Sequence, residues 1–524
     1  MAVRRAAAGA GTIGGGTPAS RRPSRRPYGR QCRWPPPAAA PMTAPMTAST
    51  PAPPAPPRAA VPAQIGKYAV RARLGEGATS EVFLAWDDFH QREVAIKRVR
   101  AGLAEDGDEG HFQRHFFAAE AALVGRLQHP NVVQIHDAVD DGDAPYLVME
   151  YVDGSTLRRF CRPDALLPLQ QVVEIGFKCA MALGYVYRQG LIHRDVKPAN
   201  ILATLRKGGP PGHRDAAAVP PSEGRQTRGG AAPPAEQVLD VKISDFGSVM
   251  NLRSERTQVF RVGSLAYMPP EQLDGDVLDA RADIYALAGV LYHLIAGRPP
   301  FEAQQQAALM HQIYHAEPAS LQLLRDGVPP RLGQLIARAL SKRREDRHPD
   351  WDSFAQELSA LVAEGDLPRG PLQGVLDSER FNLLRSLEFF AGFGDVELWE
   401  VVHRAAWQRC AFGHALYRHG EEGNSFHIIA QGEVEVYRGG QRVAQLGAGT
   451  SVGEMAYLAP SPALRIHGAD VVVSAPATTI SFTPQLLEQL SLGTRRLFDA
   501  AFIRVLVRRL HAAHEALAHP RRIL

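Results

Sequence analysis

Cysteine is scarce. The 524 residues contain four, Cys32, Cys161, Cys179 and Cys410, with no CxxC and no metal-ligand spacing among them. That excludes a disulfide framework and a zinc module, and it suits a reducing, cytoplasmic setting. Long apolar runs are missing too. The longest candidate, residues 284–296, follows Asp283 and falls short of the roughly 20 residues a membrane span needs, so no membrane span is expected. Acidic residues are absent from one region only: residues 1–62 carry nine arginines and no Asp or Glu. The formal net charge of +4 therefore belongs to that stretch, and the rest of the chain is net acidic. A nucleic-acid-binding fold loses its electrostatic support.

What is present divides the chain by composition. Residues 1–62 are Ala, Pro, Gly and Arg in low-complexity runs, which bury too little apolar surface to fold, and are expected to be disordered. An organelle-targeting leader and an electrostatic arm for anionic partners are alternative readings. From Tyr68 the pattern alternates: Tyr68 to Leu74, Val82 to Trp86 and Glu93 to Val99 read as antiparallel strands. His111 to Leu127 fits a helix, with Glu120 on the same face as Phe116, Leu123 and Leu127. A carboxylate there needs a cation.

The densest chemistry lies in Ile192-His193-Arg194-Asp195-Val196-Lys197-Pro198-Ala199-Asn200. A carboxylate, an ammonium and an amide at these offsets can orient a hydroxyl, neutralise a moving phosphoryl group and hold a metal ion. Val241-Lys242-Ile243-Ser244-Asp245-Phe246-Gly247 offers a second carboxylate at a strand end, and Val94-Ala95-Ile96-Lys97 follows the glycine turn Gly75-Glu76-Gly77-Ala78-Thr79-Ser80. In this order, from about Tyr68 to Leu361, the segments resemble the eukaryotic-like (Hanks-type) serine/threonine protein kinases.

The resemblance implies ATP and Mg²⁺ as cofactors and proteins as substrates. It makes Asp195 the base, Lys197 the phosphoryl-neutralising cation and Lys97 the phosphate-binding partner of Glu120, with Asn200 and Asp245 as metal ligands. ATP would lie among Leu74, Gly75, Gly77, Val82, Ala95, Lys97 and Leu202, its adenine edge on the backbone of Glu150 and Val152. Ser264 takes the family's threonine position, bridging Asp195 and Lys197. Thr257 and Ser254 are candidate phosphosites on the activation segment, and Arg347 is the expected partner of Glu271. Two departures stand out: Ser80 replaces the third glycine, and residues 205–237 form a Gly/Pro/Ala/Arg-rich insertion, expected at a surface turn.

A Pro/Gly stretch follows near residue 365. Short strands then appear: Ala415 to His419, Ser425 to Ala430, Glu433 to Arg438, Val443 to Leu446, Val471 to Ser474 and Thr478 to Phe482. With the run from Gly447 to Leu458, this region resembles cyclic-nucleotide-binding domains. The resemblance places Gly453 and Glu454 at the phosphate and ribose, but leaves open whether Arg465 or His467 stands at the phosphate-binding arginine. Cyclic nucleotide binding and a degenerate docking role both remain open. A final helix carries Phe502, Leu506 and Leu510 on one face, for packing on the roll or pairing with a second chain as a homodimer.

The expected organisation is α+β. A disordered tail spans 1–62, a bilobal kinase fold 63–362, a linker 363–378, an all-β jelly roll with flanking helices 379–492 and a C-terminal helix 493–524. The expected function is ATP-dependent phosphorylation of Ser/Thr hydroxyls, regulated through the activation segment and the C-terminal module. A pseudokinase scaffold and a primary cyclic-nucleotide sensor are the rivals.

Overall fold

The computed structural model describes residues 61–77, 80–100, 117–140, 144–205, 238–246, 250–251, 265–367, 376–461 and 464–518. The arginine-rich tail, most of the 205–237 insertion, Ser254, Thr257 and Ser264 lie outside the described residues.

The first lobe is an antiparallel sheet containing β1 (Tyr68–Glu76), β2 (Ser80–Asp87), β3 (Arg92–Val99), β4 (Ile135–Val139) and β5 (Tyr146–Glu150), with Gln64–Ile65 on its edge and spatial order β1-β2-β3-β5-β4. The two-residue period decides what faces the cleft. Val94 and Ile96 join Phe83, Ala85, Tyr146 and Val148 in a buried cluster, so Ala95 and Lys97 project from the opposite face. Glu120 lies in a short helix that is visible only from residue 117 and gives way to turns after 121, short of the expected end at Leu127. Gly125, in the left-handed region at φ +70°, is among those turns.

The second lobe is helical. Its centre is α1 (Leu169–Arg188), apolar around most of its circumference and buried accordingly. The hairpin β6 (Ile201–Leu205) and β7 (Val238–Ile243) pairs Leu205 with Val238, so the two ends of the insertion leave from one hairpin tip. Helix α2 (Ala280–Ala296) starts where the Asp279 carboxylate accepts from Arg281 N and ends at left-handed Gly297. Helix α3 (Trp351–Ala363) packs back on α1.

Helix α4 (Asp377–Ser386) begins inside the stretch expected as a linker, and Asp377 already bonds Lys178 of α1 at 2.8 Å. Phe177 of α1 meets Phe381 of α4 at 6.1 Å and Trp399 of α5 (Asp395–Arg404) at 6.2 Å between ring centroids. Glu174 accepts from Ser378 N at 3.0 Å and from its Oγ at 2.5 Å. One apolar cluster thus runs from the second lobe through α4 and α5 into the roll.

The roll is an antiparallel sheet of β8 (Ala406–Cys410), β9 (Phe426–Arg438), β10 (Gln441–Gly447) and β11 (Asp470–Phe482), in the order β8-β11-β9-β10. This corrects the sequence reading, which cut β9 and β11 in two and missed β8. Gly432, at φ +86°, and Pro476 look like breakers, yet they face one another. A Cβ on Gly432 would lie 2.4 Å from Pro476 O, and the register shifts around it are bulges within continuous strands. Helix α6 (Leu492–Ala518) buries Phe498 and Phe502 against Phe389, Phe390, Phe426 and Phe482, while Leu506 and Leu510 are exposed. Of the two readings of this helix, packing on the roll accounts for its first half.

Candidate functional site

Lys97 reaches across the cleft from β3. Its Nζ donates to Glu120 Oε1 at 2.8 Å and Oε2 at 2.9 Å, and to Asp245 Oδ1 at 2.6 Å. Burial disfavours the ammonium, but Asp245 and Glu120 more than offset it, so Lys97 is held above the ordinary lysine range. Burial pushes the Glu120 carboxyl up, against the pull of Lys97. The Lys97 charge holds Asp245 well below the usual carboxylate range. Two carboxylates share one ammonium, and the group is one cation short.

Opposite stands the loop after Leu191–Ile192. Lys197 Nζ donates to Asp195 Oδ2 at 2.6 Å, and Asn200 Nδ2 donates to Asp195 O at 2.9 Å and Oδ2 at 3.0 Å. The Asn200 amide is thus oriented with its nitrogen on Asp195. Arg194 and Asp245 adopt left-handed backbones at φ +67° and +65°, a conformation non-glycine residues avoid and which clusters at functional sites. Buried Asp283 holds the loop by accepting from His193 N at 2.7 Å and Arg194 N at 2.9 Å. The His193 ring donates from Nε2 to Ser244 O at 3.2 Å and accepts from Asp195 N at 3.3 Å, tying the loop to the strand end that carries Asp245.

The residues expected to face the nucleotide are partly gathered. Leu202 of β6 pairs with Thr156 of the short strand Gly154–Thr156, while Val82 pairs with Lys97 across β2 and β3, and Ala95 with Met149 across β3 and β5. Gly75 has open space where a Cβ would lie, and Gly77 N donates to Ser80 O at 2.8 Å. Leu74 is exposed. Glu150 N is committed to Gln134 O at 2.9 Å, and the Glu150 carboxylate pairs with Lys242. Below the cleft, Arg347 makes two contacts to Glu271, at 2.5 and 2.9 Å, and its remaining donors reach the carbonyls of Ser341, Arg281 and Lys342.

Sequence reading missed three arrangements. The holding role of Asp283 was signalled by a carboxylate at the head of an apolar helix. The network of Asn131 Nδ2, Lys178 Nζ and Asp240 Oδ1, at 2.8 and 3.1 Å, had no local signal, because its members are far apart in sequence. Nor did the ion pair between Glu454 and Arg509 of α6, whose Nη2 also donates to Ser451 O at 2.8 Å.

In the roll, Gly453 sits at φ +83° with no room for a side chain, since a Cβ would come within 2.6 Å of the Tyr417 ring. The two candidate cations are placed differently. Arg465 is exposed, its Nε directed at Ala459 O at 3.5 Å. His467 is buried against the Tyr417 ring, 3.9 Å between centroids and tilted by 30°, and burial lowers its pKa. The residues present do not fit a cyclic phosphate.

The metal test ends differently. Mg²⁺ is commonly bound through one or two carboxylates together with substrate phosphates, and the carboxylate of Asp245 and the amide of Asn200 are oxygen donors of that class. Lys97 meets Asp245 at Oδ1, and Asn200 meets Asp195 through Nδ2.

Residues 68–359 match the protein kinase domain model, and residues 407–492 match the cyclic nucleotide-binding domain model. Serine/threonine-protein kinase PknB of Mycobacterium leprae is 32% identical over 328 residues, 61% of this chain and 46% of that protein. Probable serine/threonine-protein kinase SCO3848 of Streptomyces coelicolor is 31% identical over 338 residues, covering 61% and 45%. PknL of Mycobacterium bovis is 31% identical over 304 residues, covering 58% and 67%. The chain thus spans about half the length of the first relatives it matches. With its kinase match covering more than half of its own length, and with the Lys97, Asp195 and Asp245 segments in the matching order, this chain belongs to the protein kinase family and carries a cyclic-nucleotide-binding-type domain behind the kinase fold.

Proposed function

We propose that this chain transfers the terminal phosphoryl group of ATP to serine and threonine hydroxyls of proteins. The observation that carries the reading is the ammonium of Lys97 held between Glu120 and Asp245, facing a loop in which Asp195, Lys197 and Asn200 bond one another. Asp245 and Asn200 would hold magnesium, which when bound would supply neutralisation of phosphate charge. Lys97, fixed by Glu120, positions the α- and β-phosphates. Asp195 accepts the proton of the acceptor hydroxyl through the oxygen not held by Lys197, and Lys197 stabilises charge on the moving group. Ser264 is proposed to bridge Asp195 and Lys197, and phosphorylation of Thr257 or Ser254 to order the activation segment through Arg194. The C-terminal module acts as a docking element on α1.

The test is Asp195→Asn in the full chain, assayed with radiolabelled ATP and a generic protein substrate. Transfer is expected to fall by roughly 10² to 10⁴-fold, with ATP binding retained. Near-normal turnover sinks the reading.

A further inference from the structure

Glu120 and Asp245 meet Lys97 from two separate segments, and below the cleft one side chain joins those segments. Asn131 stands in the connection that follows the Glu120 segment and is fully buried. Its Nδ2 donates to Val241 O at 2.7 Å and to Asp240 Oδ1 at 2.8 Å, its carbonyl accepts from Ile243 N at 2.9 Å, and Val133 N donates to Ile243 O at 2.8 Å. These bonds fix the height of β7 against the segment that carries Glu120. Asp245 follows Ile243 by two residues, in a left-handed backbone that its surroundings must hold in place. A slip of β7 is therefore felt as a displacement of Asp245 against Lys97.

The clamp extends beyond Asn131. Asp240 Oδ1 is a shared acceptor, taking Val241 N at 2.9 Å and Lys178 Nζ at 3.1 Å as well. The Lys178 side chain on α1 is 3% exposed, so its ammonium needs carboxylates. Burial disfavours the charge, but Asp240, Asp377 and Glu174 more than offset it and hold Lys178 above the ordinary lysine range. Asp377 is the nearer of the two bonded partners, at 2.8 Å, and it is the first residue of α4, beyond the end of the kinase match at residue 359. One ammonium is thus held between a carboxylate of the kinase hairpin and a carboxylate of the C-terminal module. The neighbouring contacts are of another kind: Ser378 donates to Glu174 and Phe381 packs on Phe177, which fasten α4 to α1 without touching Asp240.

A buried cation that loses one counter-ion turns to the other. With the Asp377 charge gone, Lys178 draws on Asp240, the shared oxygen leaves Asn131, and the height of β7 is no longer fixed. We propose that Asp377 is a positioning residue for phosphoryl transfer, supplied to the kinase fold by the C-terminal module and acting through Lys178, Asp240 and Asn131 on Asp245. This rests on the reading of Asp245 and Lys97 as the groups that hold magnesium and the nucleotide phosphates.

The test compares Asp377→Asn, Asp377→Glu, Ser378→Ala and Asp240→Asn in the full chain. Hydrogen exchange is followed at the amides of Val241 and Ile243 against those of α2, Mg²⁺·ADP affinity is measured by calorimetry, and KM is measured for ATP and for a generic protein substrate. Asp377→Asn is expected to speed exchange at Val241 and Ile243 more than in α2, to weaken Mg²⁺·ADP roughly three- to tenfold and to raise the KM for ATP by a similar factor, with the KM for protein unchanged. Asp377→Glu, which keeps the charge, should restore most of the loss. Ser378→Ala loosens the docking of α4 alone, so it should lower the urea midpoint while Mg²⁺·ADP affinity stays at the unaltered value. Asp240→Asn breaks the chain from its kinase end and should reproduce Asp377→Asn, which decides the matter if Asp377→Asn does not fold. The proposal is overturned if Asp377→Asn or Asp240→Asn leaves exchange and Mg²⁺·ADP affinity unchanged, if Asp377→Glu behaves as Asp377→Asn, if Ser378→Ala weakens Mg²⁺·ADP as much, or if the unaltered chain does not bind Mg²⁺·ADP. A chain that binds Mg²⁺·ADP but transfers no phosphoryl group would sink the kinase reading alone, since exchange and affinity still judge the role of Asp377.

Discussion

Arg347 shows how a single side chain can be over-determined. Its side chain is fully buried, it sits over the Tyr285 ring at 4.8 Å, and its bonds to Glu271 and three carbonyls account for its donors. Such a pair adds little net stability but is costly to break from one side. Glu271→Ala is therefore expected to cost about 3–5 kcal/mol, and Glu271→Leu combined with Arg347→Met less than either single change, measured by urea denaturation. Residues of this kind were legible in the sequence because each had a stated chemical need: Glu120 on an apolar face called for Lys97, and Glu271 for Arg347. His467 and Arg465 were not separable, because an offset of two residues along an extended segment does not say which side chain turns inward. Packing decided it, since His467 fits under Gly423 and against Tyr417.

At the scale of elements, the hairpin of β6 and β7 separates sequence length from structural length. Ile201 pairs with Ile243 and Leu205 with Val238, so pairing runs up to both ends of a long insertion, with one register shift between Val238 and Asp240. Replacing residues 208–235 by a short turn such as Asn-Gly should leave transfer within several-fold and the melting temperature within a few degrees, because loop-closure entropy changes slowly with length. A collapse in yield of folded protein would show that the insertion packs. Strand existence was readable from the two-residue alternation, and strand continuity was not. Glycine and proline mark breaks in most strands, whereas Gly432 and Pro476 are absorbed as bulges because they oppose each other across β9 and β11. That is a cross-strand fact with no trace in either local sequence.

The whole molecule buries imidazoles in both folded modules. Burial lowers His129 to about 3, and His293 and His427 to about 4, from an ordinary 6.5. Folded-state values below the unfolded ones mean that the unfolded chain binds more protons in this window. Stability is then complete above pH 6.5 and falls as the pH drops toward about 4, with each imidazole contributing about 1.4 kcal/mol per pH unit. Denaturation midpoints taken at steps through that range check the sign, and a midpoint that rises on acidification contradicts it. The division into kinase fold and roll was visible in the change of period after residue 365, but their union was not, since Phe177, Phe381 and Trp399 each read as ordinary core.

That shared aromatic contact bears on how the chain can be handled and inherited. A fragment cut after Leu367 would present to water the face of α1 that Phe381 and Trp399 now cover, together with Lys178 stripped of Asp377. Such a fragment should express poorly, bind hydrophobic dyes and self-associate on gel filtration, and Phe177→Ser should improve its solubility. The kinase fold here is not a portable cassette, and a gene rearrangement that exchanged its C-terminal partner would have to replace the aromatic cover along with it.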